Sequence, residues 1–470
     1  MAPVQKQETY DKGYARRSLL IFAGFVITVM YIETMLVPSL PSIASQFNVN
    51  PAEVSLVLSM YLVSGVALSP IVGKLGDVYG KKRVLKYVMP IYVVAVASTG
   101  FSPNFAYLIF SRIVQGVGFT ILPLAMTLVR EQFPREKVPQ AQGILSAMFG
   151  LGGAIGLPLG AFISNNFGWQ TTYHTALPFV VLLTVLVFLF IKESRFSMPA
   201  AKIDYFGAMA LAIGLGATVY ALSEGTAFGW TSPAIASFLV IAVIFFALFA
   251  ITERRSSKLG QSLLNFTMLK QRNVLGANVI ALIVGMGFFL AYQTYAYEFE
   301  SSAPLGYGLD IFHTGLALVP FAVMNIIVAP LVGRTLHKYG AKPYILSGAI
   351  VSIVGFLISA FSGTYWYLVA GAAIAGAGMA MLNVSLVNLL VLSVEGKHMG
   401  VATSTNVVFR IFGSSIGAPI AGVFIAEFNS RLAFSSSFYF AVATYVIVVL
   451  ISVFVYEVLG KRANKAIVTM

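Results

Sequence analysis

SPIVGKLGDVYGKKRVL, residues 69–85, is an apolar run that closes in a glycine-bracketed turn and a burst of cations. It returns as APLVGRTLHKYGAKPYIL at 329–346, where Pro330, Gly333, Tyr339 and Gly340 match Pro70, Gly73, Tyr79 and Gly80 at an offset of 260 residues. Two further stretches repeat in the same order. RIVQGVG at 112–118 aligns with AAIAGAG at 372–378 at that offset, and FGLGGAIGLPLGAFI at 149–163 aligns with FGSSIGAPIAGVFI at 412–425, bringing Pro158 onto Pro419. Three repeats in one order at one spacing imply two homologous halves.

Composition says what kind of halves these are. Of 470 residues, 58% are hydrophobic and 10% charged, with mean hydropathy +0.86, whereas soluble domains are about a quarter charged. A membrane-spanning helix needs about 20 mostly apolar residues. Fourteen such segments begin near residues 18, 53, 84, 106, 138, 172, 203, 233, 273, 313, 343, 365, 398 and 433. The expected fold is an all-α polytopic membrane protein of two pseudo-symmetric six-helix bundles, residues 1–192 and 273–470. Two extra central helices with cytoplasmic linkers fill 193–272. The first apolar segment follows Arg16 and Arg17 without an A-x-A-like cleavage site, which reads as a retained helix rather than a signal peptide.

The net charge of +13 would suggest nucleic acid in a soluble protein, but its distribution points to topology. With the N-terminus inside, every Lys and Arg falls in an inner loop or terminus except Arg112 and Arg410, which lie within spans, and Arg431, which lies outside. This is the positive-inside rule. It expects both termini in the cytoplasm, a multi-pass protein of the plasma membrane, and no nucleic-acid partner. With no cysteine in the chain, disulfides and thiolate metal sites are excluded. No P-loop, metal-spaced His cluster or nucleophile elbow appears, so no enzymatic residue, metal or cofactor is expected.

Together these motifs resemble the major facilitator superfamily, and in particular its fourteen-span drug/proton antiporter branch, over essentially the whole chain. GKLGDVYGKKR, with Gly73, Asp77, Gly80, Lys81, Lys82 and Arg83, is similar to the superfamily signature between spans 2 and 3. RIVQGVG, with Arg112, Gln115 and Gly116, resembles the span-4 signature. GGAIGLPLG, with Gly152, Gly156, Pro158 and Gly160, resembles the antiporter signature of span 5, but Leu157 stands where the family has proline and Ala161 where a second glycine is usual. IETMLVPSLP resembles the branch's acid-Thr pair in span 1, with Glu33 for the commoner Asp. IDYFGAMAL and SEGTAFGWTSP resemble the first extra span and its exit. The resemblance implies alternating access, with the loop motif latching the two halves together while the outside is open.

Glu33 interrupts the stretch VITVMYIETMLVPSLPSIASQF, residues 26–47. It stands 15 residues into the first span, about 22 Å along a helix and in the outer half of a core about 30 Å thick. Arg112 is six residues into a span that enters from outside, about 9 Å down. The two charges share a depth. Intramembrane ionisable groups are costly and tend to face a cavity and a partner, so Glu33 and Arg112 form the candidate proton-coupling pair, direct or bridged by Gln115. Candidate cavity residues are Tyr31, Gln115, Tyr292, Gln293, Tyr295, Asn383 and Arg410; the repeat offset sets Gln293 opposite Glu33. Glycines 150, 152, 153, 156 and 160 make a small-residue stripe suited to close helix approach, which serves a gate or plain packing equally.

The expected function is export of lipophilic, often cationic compounds by a monomeric proton-coupled antiporter. Its partners are a small-molecule substrate, protons and membrane lipid. Two alternatives stay open. A proton-coupled importer of a sugar, organic acid or peptide uses the same architecture, and a membrane receptor or scaffold would bind without flux. The sequence names no substrate.

Overall fold

The computed structural model describes residues 12–133, 138–193, 204–258, 266–361, 363–394, 399–427 and 430–456. Lys137, Lys202, Lys397 and Lys461 to Lys465, all assigned to the inner-side basic clusters, lie outside the described residues.

Among the described residues twelve helical segments are long and apolar enough to cross a membrane. They are α1 (Gly13–Phe47), α2 (Pro51–Tyr79), α4 (Phe105–Val129), α6 (Trp169–Phe190), α7 (Tyr205–Phe228), α8 (Pro233–Ser256), α9 (Arg272–Glu300), α10 (Ile311–Leu336), α11 (Ala341–Ala360), α12 (Tyr365–Ser393), α13 (Thr405–Glu427) and α14 (Leu432–Phe454). Two more long helices complete the expected fourteen. One is α3 (Lys81–Gly100), whose first turn is Lys81, Lys82 and Arg83; the other is the 30-residue α5 (Val138–Phe167).

Local chemistry accounts for the breaks. Proline lacks the backbone donor a helix interior needs, and Pro38 and Pro41 coincide with a switch in α1 from α-helix to a 3₁₀ turn at Val37–Ser39 and back. In α4 a 3₁₀ turn at Gly116–Thr120 interrupts the helix, a feature that often marks a hinge. Between α2 and α3, Gly80 turns the chain at φ +99°, a conformation glycine adopts without a Cβ clash. Asn50 and Glu53 form a reciprocal capping box that starts α2, with Pro51 at its first position, satisfying backbone donors that have no helical partner.

Packing divides the helices into two sets. In the N-terminal set α1 packs on α5 and α6, α2 on α4, and α3 on α4 and α6; in the C-terminal set α9 packs on α13, α14 and α12, while α11 packs on α12 and α14. The sets meet along α5 against α10 and α2 against α13. Of the two intervening helices, α7 touches both α2 and α13 and carries α8 on its back.

Candidate functional site

Lipid offers no hydrophobic force between helices, so close approach of small residues matters more than in water. The glycine stripe of α5 is seated on α1. A Cβ on Gly160 would come within 2.5 Å of Met35 Cβ, one on Gly156 within 2.8 Å of the Tyr31 carbonyl, and one on Gly152 within 2.8 Å of Met30 Cβ. Thr34 Oγ1 ties the seam by donating to the Gly153 carbonyl at 3.1 Å. This fixes the end of the first α1 segment, and with it Glu33. A comparable seam joins α13 to α9, where Gly413 faces the Leu282 carbonyl and Gly417 that of Met286.

Glu33 is 6% exposed, and its Oε2 has no hydrogen-bond partner. Arg112 is completely buried and is held by residues of two other helices. Its Nε donates to the Val57 carbonyl at 2.7 Å and its Nη1 to Gln115 Oε1 at 2.9 Å and Tyr173 Oη at 3.3 Å. The Tyr61 ring lies 4.4 Å beneath the guanidinium, a favourable cation–π arrangement. Glu33 interacts electrostatically with both Arg112 and Arg410, yet among the described residues it is in no ion pair. The expected direct or Gln115-bridged pair is therefore not made in this conformation: Gln115 serves Arg112 together with Tyr61 and Tyr173, while Arg112 Nη2 and Gln115 Nε2 are buried with no hydrogen-bond partner among the described residues. No sequence signal singled out these two tyrosines, because tyrosine is common in membrane helices and their helices are distant in sequence.

The remaining candidates fall in several places. Tyr31 is buried in α1. Tyr292 is buried between Phe288 and Phe321. Tyr295 Oη shares a hydrogen bond of 2.7 Å with Ser359 Oγ, and its ring lies 4.9 Å from that of Phe438, so it is engaged inside the C-terminal set. Gln293 Nε2 donates to the Pro51 carbonyl at 2.7 Å, across the two sets. Asn383 is partly buried on α12. Arg410 is partly buried on α13, where its carbonyl accepts from Ser414 Oγ at 3.0 Å; its guanidinium makes no hydrogen bond or ion pair among the described residues.

Cross-set contacts cluster at one end of the helices, beside the α1–α2 and α9–α10 connections. Beside the Gln293 bond, a Cβ on Gly422 would fall 2.6 Å from the Pro51 carbonyl, one on Gly315 would lie 2.9 Å from that of Leu157, and the rings of Phe162 and Phe312 are 5.7 Å apart. Toward the opposite ends, no atom of the described residues lies within 4 Å of where a Cβ would stand on Gly73, Gly150 or Gly333.

The loop motif is tied within the N-terminal set. Lys81, only 3% exposed, pairs with Asp77 at 3.0 Å and Glu131 at 2.6 Å. Glu193 accepts from the backbone amides of Lys82 at 2.9 Å and Arg83 at 3.0 Å, capping α3 with a carboxylate as its helix dipole favours. That cap was not foreseen, since Glu193 lies more than a hundred residues downstream.

A family model described as Major Facilitator Superfamily matches residues 21–204 and 303–467. The chain is 28% identical over 376 residues to Multidrug resistance protein 3 of Bacillus subtilis (strain 168), covering 78% of this chain and 71% of that protein. It is 27% identical over 417 residues to Multidrug resistance protein Stp of Mycobacterium tuberculosis (strain CDC 1551 / Oshkosh), covering 87% of this chain and 76% of that protein. The crystal structure of an auto inhibited POT family peptide transporter superposes with a TM-score of 0.66 over 93% of this chain and 96% of that one, at 13% identity, a likeness of fold alone. With the family model spanning both sets of helices, the chain belongs to the Major Facilitator Superfamily.

Proposed function

We propose that the protein is a proton-coupled antiporter that exports lipophilic, often cationic compounds from the cytoplasm by alternating access. Membership of the superfamily makes it a multi-pass membrane transporter of a small-molecule substrate rather than an enzyme. Its relatives named multidrug resistance proteins favour efflux as the direction. One observation carries the coupling: a carboxylate, Glu33, is buried at membrane depth with an oxygen unpartnered. An anion held in low dielectric without a hydrogen bond is readily protonated, and intramembrane acids commonly serve proton relays.

In this reading the closed outer ends and open inner glycines belong to an inward-facing conformation. The Asp77 motif, whose Asp77 and Lys81 pair within their own set, latches across the sets when the outside opens. Rocking of one six-helix set against the other alternates access. The protein resides as a monomer in the plasma membrane with both termini in the cytoplasm, and Tyr31, Tyr292 and Asn383 contribute to the cargo cavity.

The test is transport by purified protein in proteoliposomes with an imposed pH gradient, followed with a fluorescent lipophilic cation. Accumulation that collapses when a protonophore removes the gradient supports antiport. Uptake of a polar solute along an inward proton gradient, with no movement of the cation, would replace this reading with the importer.

A further inference from the structure

SEGTAFGWTSP, residues 223–233, joins the two intervening helices α7 and α8, and its small and polar residues each have a task. Ser223 Oγ shares a hydrogen bond of 3.1 Å with Ser55 Oγ of α2. Gly225 is the seat of the Trp230 ring, which a Cβ at that position would meet at 2.5 Å. Gly229 turns the chain at φ +83°, a conformation glycine adopts without a Cβ clash. Ser232 Oγ accepts from the Ile235 amide at 3.3 Å, and Pro233 opens α8; a serine cap followed by proline is a favourable helix start. Folded in this way, the turn directs the Trp230 indole to α13, where its Nε1 donates to Oε1 of Glu427, the last residue of that helix, at 3.0 Å.

The two bonds tie the hairpin to opposite sets of helices, and they do so at the end where Gln293 bonds Pro51 and Gly422 of α13 rests on Ala52 of α2. They differ in what breaking them costs. Ser55 and Ser223 are both at 0% exposure, and a buried hydroxyl left without its partner bears the desolvation penalty. Trp230 is 40% exposed and Glu427 lies at the surface, so water replaces their bond at small cost. Phe246 of α8 also touches Phe412 of α13, with ring centroids 5.8 Å apart, but an apolar contact is non-directional. When the sets part at the Pro51 end, the hairpin therefore stays on α2 and releases α13.

We propose that the α7–α8 hairpin is a strap on the alternating movement: it rides with the N-terminal set, and Trp230 holds Glu427 so that the Pro51 end stays shut until that bond is released. This rests on the alternating-access part of the reading above and not on proton coupling. The strap touches no cargo. It sets how large a fraction of the molecules is open at this end, and a bond present in one state and absent in the other shifts that fraction by its own free energy.

The experiment uses the lack of cysteine in the chain. Ala52 is fully buried beneath Gly422, so in purified Ala52→Cys protein a hydrophilic thiol reagent reacts in proportion to the fraction open at that end. On this background Trp230→Phe keeps a ring over Gly225 but loses the donor, and Glu427→Ala removes the acceptor from the other side. Each should raise the labelling rate about fivefold, the population equivalent of one hydrogen bond. The double variant should match either single one, and Glu427→Gln, which keeps an Oε1 acceptor, should label near the parent rate. Glu427 lies outside the hairpin at the surface, so Glu427→Ala carries the test even if Trp230→Phe fails to fold. A parent rate in Glu427→Ala, or increases that multiply in the double variant, overturns the strap. If the cysteine stays unlabelled in the parent and in every variant, the sets do not part at this end and the alternating-access reading fails with it, whereas equal and measurable rates contradict the strap alone.

Discussion

Gly156 of α5 lies so close to Tyr31 of α1 that a Cβ at position 156 would come within 2.8 Å of the Tyr31 carbonyl oxygen. The two helices touch backbone to backbone two residues before Glu33, and the glycine at this position is what permits it.

Enlarging that glycine should therefore act on the whole seam. Overpacking a tight contact costs about 1–3 kcal/mol, so Gly156→Val should lower the melting temperature in detergent and abolish transport. Gly150→Ala on the same helix should be tolerated, since no atom of the described residues lies within 4 Å of a Cβ there. Thermal melts of the two variants compare them directly; equal loss in both would remove the seam from the account.

The closure of the two sets at the Pro51 end rests partly on Gln293, which bonds the Pro51 carbonyl at 2.7 Å. A hydrogen bond of this kind contributes about 1 kcal/mol net, or about fivefold in a two-state population. Gln293→Ala should raise the outside-open fraction by that order. Because the chain has no cysteine, single cysteines placed on the outer half of α13 report this by their labelling rate with a membrane-impermeant thiol reagent.

Lys81 and Asp77 should separate stability from gating. Lys81 is buried between Asp77 and Glu131, and removing one partner of a buried pair costs about 3–5 kcal/mol. Lys81→Met should destabilise the protein strongly. Asp77 has a side chain 46% exposed, where an ion pair is worth at most about 1 kcal/mol, so Asp77→Asn should melt near the native temperature while slowing transport. Measured stability and rate that fall together in Asp77→Asn would contradict the latch.

The fold was legible because membrane thickness imposes a segment length. Segment starts inferred near 84 and 138 coincide with α3 and α5, although α3 opens on three cations. The glycine spacing forecast a close helix contact but not its partner, which is α1, because a stripe carries no address. The expectation that Glu33 and Arg112 share a depth rests on counting residues. That Arg112 is occupied by Val57, Tyr61 and Tyr173 was not readable, since those groups come from α2 and α6 and only the folded packing sets their distance. Gln293 emerged from the repeat offset as the counterpart of Glu33, whereas its bond to Pro51 depends on how the two sets meet.

The central claim is that Glu33 carries the coupled proton, and the most direct measurement compares native protein with Glu33→Gln in proteoliposomes under an imposed pH gradient, using a fluorescent lipophilic cation. The amide occupies the same volume but binds no proton in this range. The account predicts gradient-driven accumulation by native protein and its loss in the variant. Accumulation by Glu33→Gln at the native level and with the native pH profile would contradict it and make Glu33 a structural group.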